Sequence, residues 1–313
     1  MFKCIYVCLF IVLFFTSCDK VDNPLAVPST DLDTNLYPGL WSDYENNEWP
    51  IFPPNINTER NVLLEEFTAH RCTYCPNGAE VAHNLEMAND NRVFVAAIHA
   101  GGEGFEEDLH GITTVHPIYP IDFTNTDGLL LGPFLKDYGL DALPRGTVNR
   151  VKDGAIFVYP PTPWTNLTNS ILNTNDLKVN LQGDINYYPT TKGAFLHVEA
   201  QKLDANMTND LAIVSYLIED SLVAPQKGDN NFFPSYDSAY VHRDIHRKNL
   251  SGHIFGRELT SEMLINNKFY INYSFEVPNQ LDGNHNPSNM HVLVYVYDIA
   301  TLEIYQVIKV PIQ

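Results

Sequence analysis

The chain reads as an α/β layer domain followed by an all-β, sandwich-like domain. Three observations support this. An apolar run, residues 62–67, leads to Cys72-Thr73-Tyr74-Cys75-Pro76, where Val81, Leu85 and Ala88 begin a helical spacing. Strand-like and helix-like stretches alternate from 59 to about 175. From Leu177 onward, strict period-two alternation takes over and no helical pattern returns. With 313 residues the chain is long enough for two domains of ordinary size.

In the first domain, 59–175, strands are expected at 62–67 and 93–98 and helices at 76–89 and 129–138. Residues 100–128 hold many Gly, Pro, Thr and His and read as an inserted loop. Short strands at 147–151 and 155–159 flank the turn Lys152-Asp153-Gly154. Trp164, Leu167, Ile171 and Leu172 fit a closing helix. In the second domain, 176–313, alternation marks half-buried strands around Leu181, Leu196 and Ile271. The runs 211–218 and 292–297 are apolar on both faces, as central strands require, and 305–312 adds a last strand. A polar insertion at roughly 223–256 interrupts this pattern, and its His242 and His246 are expected to be solvated, like His110 and His116 in the first inserted loop.

The formal net charge of -19 argues against nucleic acid, anionic lipid surfaces and acidic substrates. Of the five cysteines, Cys4 and Cys8 lie in the first apolar segment and Cys18 closes it. Only Cys72 and Cys75 remain for the body, which therefore has one possible internal disulfide. A helix N-terminus favours a thiolate, so Cys72 is expected as the exposed attacking sulfur and Cys75 as the resolving one. His70 with both cysteines offers three zinc ligands where a structural site takes four, so no metal is expected. No nucleotide-binding glycine loop or nucleophilic-serine elbow occurs, and no cofactor is expected.

Residues 1–17 carry Lys3 and an uncharged apolar run, the build of a secretory signal too short to span a membrane comfortably. Phe15-Thr16-Ser17-Cys18 resembles a bacterial lipobox, with Phe15 in place of the usual leucine. The resemblance implies cleavage before Cys18 and its lipidation; an ordinary cleaved signal is the alternative. Residues 18–58 are rich in Pro, Asn and Asp and read as a largely irregular tether, on which Trp41, Trp49 and Phe52 are candidates to dock on the body.

Glu66-Phe67 stands six residues before Cys72. Tyr138-Gly139-Leu140-Asp141-Ala142-Leu143-Pro144 follows later, then Lys152-Asp153-Gly154. In this register the domain resembles thioredoxin-like proteins. The resemblance implies that Pro144 is the cis-proline beside the CxxC, and that Glu66 is the buried acid that moves the proton of Cys75. The chain departs from the pattern at Arg145-Gly146, where thioredoxins usually have Thr, and at Thr73-Tyr74 inside the CxxC. Across most of the mature chain, the stretches 64–76, 143–150, 240–247 and 292–310 resemble the Bacteroidetes outer-membrane lipoproteins named after a twenty-eight-kilodalton outer-membrane protein. That implies a lipid anchor in the outer membrane, a thioredoxin-like domain and a C-terminal β domain.

Asp220-Ser221-Leu222 and Asp237-Ser238-Ala239 resemble the O-glycan acceptor pattern of Bacteroidetes, which makes Ser221 and Ser238 candidate modification sites. Two functions compete. One is thiol–disulfide exchange on exported protein thiols. The other is non-enzymatic binding of a surface ligand, as an adhesin would, with Cys72–Cys75 as a fixed clip in a scaffold.

Overall fold

A computed structural model describes residues 32–89, 91–100, 117–228 and 235–313. The expected signal segment, Cys18, His110, His116 and much of the 100–128 loop lie outside the described residues. The helices are α1 (Trp41–Asn47), α2 (Cys75–Ala88), α3 (Thr126–Leu135) and α4 (Trp164–Thr174). In the first half the strands are β1 (Val62–Thr68), β2 (Val93–His99) and β3 (Arg145–Val148). The second half has β4 (Val179–Tyr188), β5 (Gly193–Lys202) and β6 (Leu211–Glu219). These are followed by β7 (Leu222–Val223), β8 (Gln226–Lys227), β9 (Tyr236–Asp237) and β10 (Val241–His242). Then come β11 (Ile245–Asn249), β12 (Arg257–Leu259), β13 (Lys268–Glu276), β14 (Met290–Asp298) and β15 (Ile304–Pro311).

The N-terminal region is mixed α/β and the C-terminal region is β-rich, yet one sheet runs through both. Its order is β15-β14-β6-β11-β2-β1-β3, with β12 also on β6. β1 and β2 are parallel, and β3 returns antiparallel to β1. The junction is β11, which pairs antiparallel with β6 and places Ile245 opposite Ala97 of β2. The polar insertion at 223–256 therefore contains the strand that joins the halves. Asn125 caps α3 by accepting from the Gly128 N–H, and its amide also donates to the His246 carbonyl. A second sheet, β13-β5-β4, packs on the C-terminal strands.

Central strands serve two cores. Ala212, Val214, Tyr216 and Ile218 of β6 face the helices and β1–β2, while Leu211, Ile213 and Leu217 face the second sheet. β14 divides in the same way, with Tyr295 on one side and Val294 on the other. Both strands are buried along their whole length, as their uninterrupted apolar runs require. Trp164 anchors α4 with no exposed surface, and its indole N–H donates to the Tyr159 carbonyl at 3.2 Å.

Several local expectations shift. The 147–151 strand begins earlier, at Arg145, and 155–159 forms only isolated bridges, because the Asp153–Ile156 turn leaves too little chain to pair. The helix expected at 129–138 starts at Thr126 and tightens into a 3-10 turn, Lys136–Tyr138, before the left-handed Gly139. The distal part of the 18–58 stretch is not wholly irregular. α1 presses Tyr44, fully buried, onto β5, where its hydroxyl meets His197 Nε2 at 2.5 Å. Trp41 stacks on Tyr44 at 4.7 Å, and Trp49 meets His197 at 4.4 Å.

Candidate functional site

β1 carries the chain to the cysteines. A turn at Ala69 returns the Cys72 N–H to the Ala69 carbonyl at 3.1 Å, and α2 starts at Cys75 with Pro76 in its first turn. Pro76 costs nothing there, since a first-turn N–H has no partner within the helix. Cys72 and Cys75 form a disulfide, their Cα atoms 5.5 Å apart. The Leu143–Pro144 peptide is cis. The β1–β3 pairing sets Arg145 opposite Phe67 and Gly146 opposite Glu66, and this brings Pro144 to the first turns of α2. Leu143 packs on Ala69, Cys72 and Cys75.

Gly78 shows how closely these parts approach. A Cβ there would lie 2.8 Å from Pro144 Cβ and 2.9 Å from Glu66 Oε1, so any side chain at this position would force the proline or the carboxyl to move. Glu66 is 2 % exposed, and its Oε1 has no hydrogen-bond partner among the described residues. Burial alone raises its pKa to about 8, so the carboxyl is mostly protonated at neutral pH. Glu66 and Cys75 line one cavity of about 320 Å³ with His83, His99, Tyr240 and His242.

The C-terminal half closes the site. The expectation of an exposed Cys72 is corrected: Cys72 is 5 % and Cys75 1 % exposed, while Tyr74 between them is 59 % exposed. The cover is β8. Gln226 Nε2 donates toward the Cys72 carbonyl at 3.1 Å, and the Lys227 N–H donates to the His70 carbonyl at 2.9 Å. His242 and His246 are also corrected from solvated to buried, at 5 % and 1 % exposed. His242 meets Phe123 at a tilt and Tyr240 edge-on, and His246 lies edge-on against Tyr216. Burial lowers the pKa of each to about 4, so both rings are neutral.

Sequence reasoning missed Gln226, Tyr240 and a second acid, Glu65. Glu65 is fully buried in a bidentate pair with Arg150, at 2.7 and 2.6 Å, and also accepts from Thr147 and Tyr216. Tyr295 donates to Tyr216 and accepts from Arg150, which closes the network. Burial opposes the charge on Glu65, but Arg150 and the hydrogen bonds outweigh it, and its pKa is lowered. Arg150 lies 85 residues further along the chain, so no local sequence signal marks the pair.

Among the described residues, no group of three or more His, Cys, Asp or Glu is placed to hold a metal. Ser221 is exposed at a left-handed turn between β6 and β7, and Ser238 is exposed after β9. Cys18 lies outside the described residues. No described helix is long and apolar enough to cross a membrane.

Comparison with known proteins bears mainly on the second half. No curated protein matches. Among solved structures, the chain is similar to HBP35 of Porphyromonas gingivalis, with 18% identity over 81% of this chain and 75% of that one, at a TM-score of 0.56. At that identity the likeness concerns the fold alone. A domain of the outer membrane lipoprotein Omp28 from the same organism matches 44% of this chain and 90% of its own, with 20% identity and a TM-score of 0.31. The family model for outer membrane protein Omp28 matches residues 133–313, more than half of the chain, starting after the CxxC. The chain therefore belongs to the Omp28 family and is an outer-membrane protein of the cell envelope.

Proposed function

We propose that this protein is a thiol–disulfide oxidoreductase of the outer membrane, with a thioredoxin-like first half, a lipid anchor on Cys18 and exported proteins as substrates. The observation that carries the proposal is the buried, protonated Glu66 carboxyl on the cavity it shares with Cys75. In the first step a substrate thiolate attacks Cys72 Sγ. The Cys72–Cys75 bond breaks, its electron pair goes to Cys75, and Glu66 gives that sulfur a proton. A second substrate thiolate then attacks the substrate sulfur of the mixed disulfide and releases Cys72 as a thiolate. The substrate leaves oxidised to a disulfide, and the cysteine pair is reduced. Reversal of these steps reduces a substrate disulfide.

The test is a Cys75→Ser variant in the native envelope. In the reducing direction its Cys72 thiolate attacks a substrate disulfide and no Cys75 is left to resolve the product, so it is expected to accumulate mixed disulfides through Cys72. In that direction Glu66→Ala is expected to slow resolution by Cys75, whose proton Glu66 accepts, more than attack by Cys72. No trapped species, with Cys72 inert to alkylation after reduction, would refute exchange. The near-complete burial of both cysteines favours a second reading, a scaffold whose disulfide is fixed and whose surface binds a ligand. A disulfide across so short a loop constrains little of the unfolded chain, which weakens that reading. Equilibration with glutathione separates the two: a pair that stays oxidised far below thioredoxin's potential supports the scaffold.

A further inference from the structure

The redox pair of one half is held by a side chain of the other. Gln226, 4 % exposed, puts one amide nitrogen 3.1 Å from the Cys72 carbonyl, 3.3 Å from the Ala69 carbonyl and 3.0 Å from its own neighbour's, Lys227. All three partners are acceptors, so the nitrogen must face them; the oxygen in its place would meet three oxygens. Two N–H groups are thus shared among three carbonyls. One residue on, the Lys227 N–H donates to the His70 carbonyl at 2.9 Å. β8 is in turn held by β9, with Gln226 opposite Asp237 and Lys227 opposite Tyr236. The loop from Ala69 to Cys72 is thereby fastened at Ala69, His70 and Cys72 by a strand about 155 residues further along the chain.

We infer that Gln226 is a positioning residue of the Cys72–Cys75 couple, setting how readily the disulfide forms by holding the Cys72 loop against α2. The inference rests on the reading of Cys72–Cys75 as a working redox couple. Two thiols join in proportion to the time the fold keeps them together, which is an effective concentration. Once the disulfide is reduced, the Ala69–Cys72 loop is free to explore other shapes, and the Gln226 bonds limit that freedom. Losing them widens the reduced ensemble more than the oxidised one, in which the Cys72–Cys75 bond already fixes the loop. The disulfide then becomes less stable relative to the dithiol. Linkage requires the reverse as well: reduction loosens β8.

The experiment compares the full mature chain with Gln226→Met, which keeps the side-chain length and removes both donors. Each is equilibrated in glutathione buffers of graded ratio, and the oxidised fraction is read by alkylation and mass. The expected result is a fall of about 3- to 10-fold in the equilibrium constant for disulfide formation, the effect of losing one or two net hydrogen bonds, with cooperative unfolding retained. An unchanged constant in a folded variant overturns the inference. If Gln226→Met does not fold, the parent protein still decides: the Lys227 amide is expected to exchange hydrogen faster in the reduced chain than in the oxidised one, and equal rates overturn the inference. Failure to exchange disulfides with protein substrates would remove the proposed function and leave both readouts intact, so the two failures are distinguishable.

Discussion

Glu65 and Glu66 are neighbours in β1, both buried, on opposite faces of the sheet and in opposite protonation states. Glu65 is charged against Arg150, with its pKa lowered; Glu66 Oε1 has no hydrogen-bond partner among the described residues, and burial raises the pKa of the carboxyl to about 8. Successive strand residues point to opposite faces, so one side chain reaches the tyrosines of β6 and β14 and the other reaches α2.

The Glu66 titration predicts a pH-dependent stability. Its folded pKa of about 8 lies above the ordinary value of 4.5, so the folded state holds a proton that the unfolded state gives up. That contribution is fully present below the unfolded value and is lost as pH rises toward 8. Glu66→Gln removes the loss and should stabilise the protein at pH 8 by on the order of 4 kcal/mol, with little change at pH 4. Urea unfolding of both proteins across this range is the check; parallel pH profiles would show that Glu66 does not titrate there.

Arg150→Met should be far more damaging. It leaves Glu65 charged and buried without its cation, at a cost of about 3–5 kcal/mol. The double change Glu65→Gln with Arg150→Met should recover a large part, because no buried charge remains. A double-mutant cycle in denaturant measures this, and strictly additive losses would argue against direct coupling.

Gly78→Ala tests the contact between α2, Pro144 and Glu66. The added methyl would sit 2.8 Å from Pro144 Cβ and 2.9 Å from Glu66 Oε1, so one neighbour must move. The expected loss is about 1–3 kcal/mol despite alanine's better helix propensity. A melting temperature equal to or above the parent's would contradict this packing.

Residues 176–313 made alone should lack cooperative unfolding. The fragment would expose the edge of β11 that faces β2, together with Tyr216, Ile218, Leu293 and Tyr295 of the shared core. Calorimetry of the fragment decides. A single sharp transition would establish the two halves as separate folding units with a boundary near 175.

The mature protein from its native host should begin at a lipidated Cys18, and glycans are expected on Ser221 and Ser238. Mass spectrometry of the N-terminus and of the intact chain checks both. An unmodified Cys18 removes the lipid anchor, and a mass equal to the bare polypeptide removes the glycans.

Periodicity in the sequence determined the helix after the CxxC, the alternating strand β13 and the double-sided burial of β6 and β14. These follow from short windows, where the spacing of apolar residues reports which faces are buried. The CxxC spacing at a helix start likewise singled out Cys72 and Cys75, and the resemblance to thioredoxin-like proteins singled out Glu66 and Pro144. β5, by contrast, was expected to be half-buried and is buried on both faces, because Trp41 and Tyr44 of α1 cover Phe195 and His197. Only the tertiary structure decided that Glu65 pairs with Arg150, that Gln226 covers Cys72, that β11 joins the halves, and that His242 and His246 are buried. The pairings span separations of 85 residues for Glu65 with Arg150 and 154 for Gln226 with Cys72. A polar residue in a Gly- and Pro-punctuated stretch carries no periodic signal of its own. Whether it is solvated or enclosed depends on what the closed chain places over it.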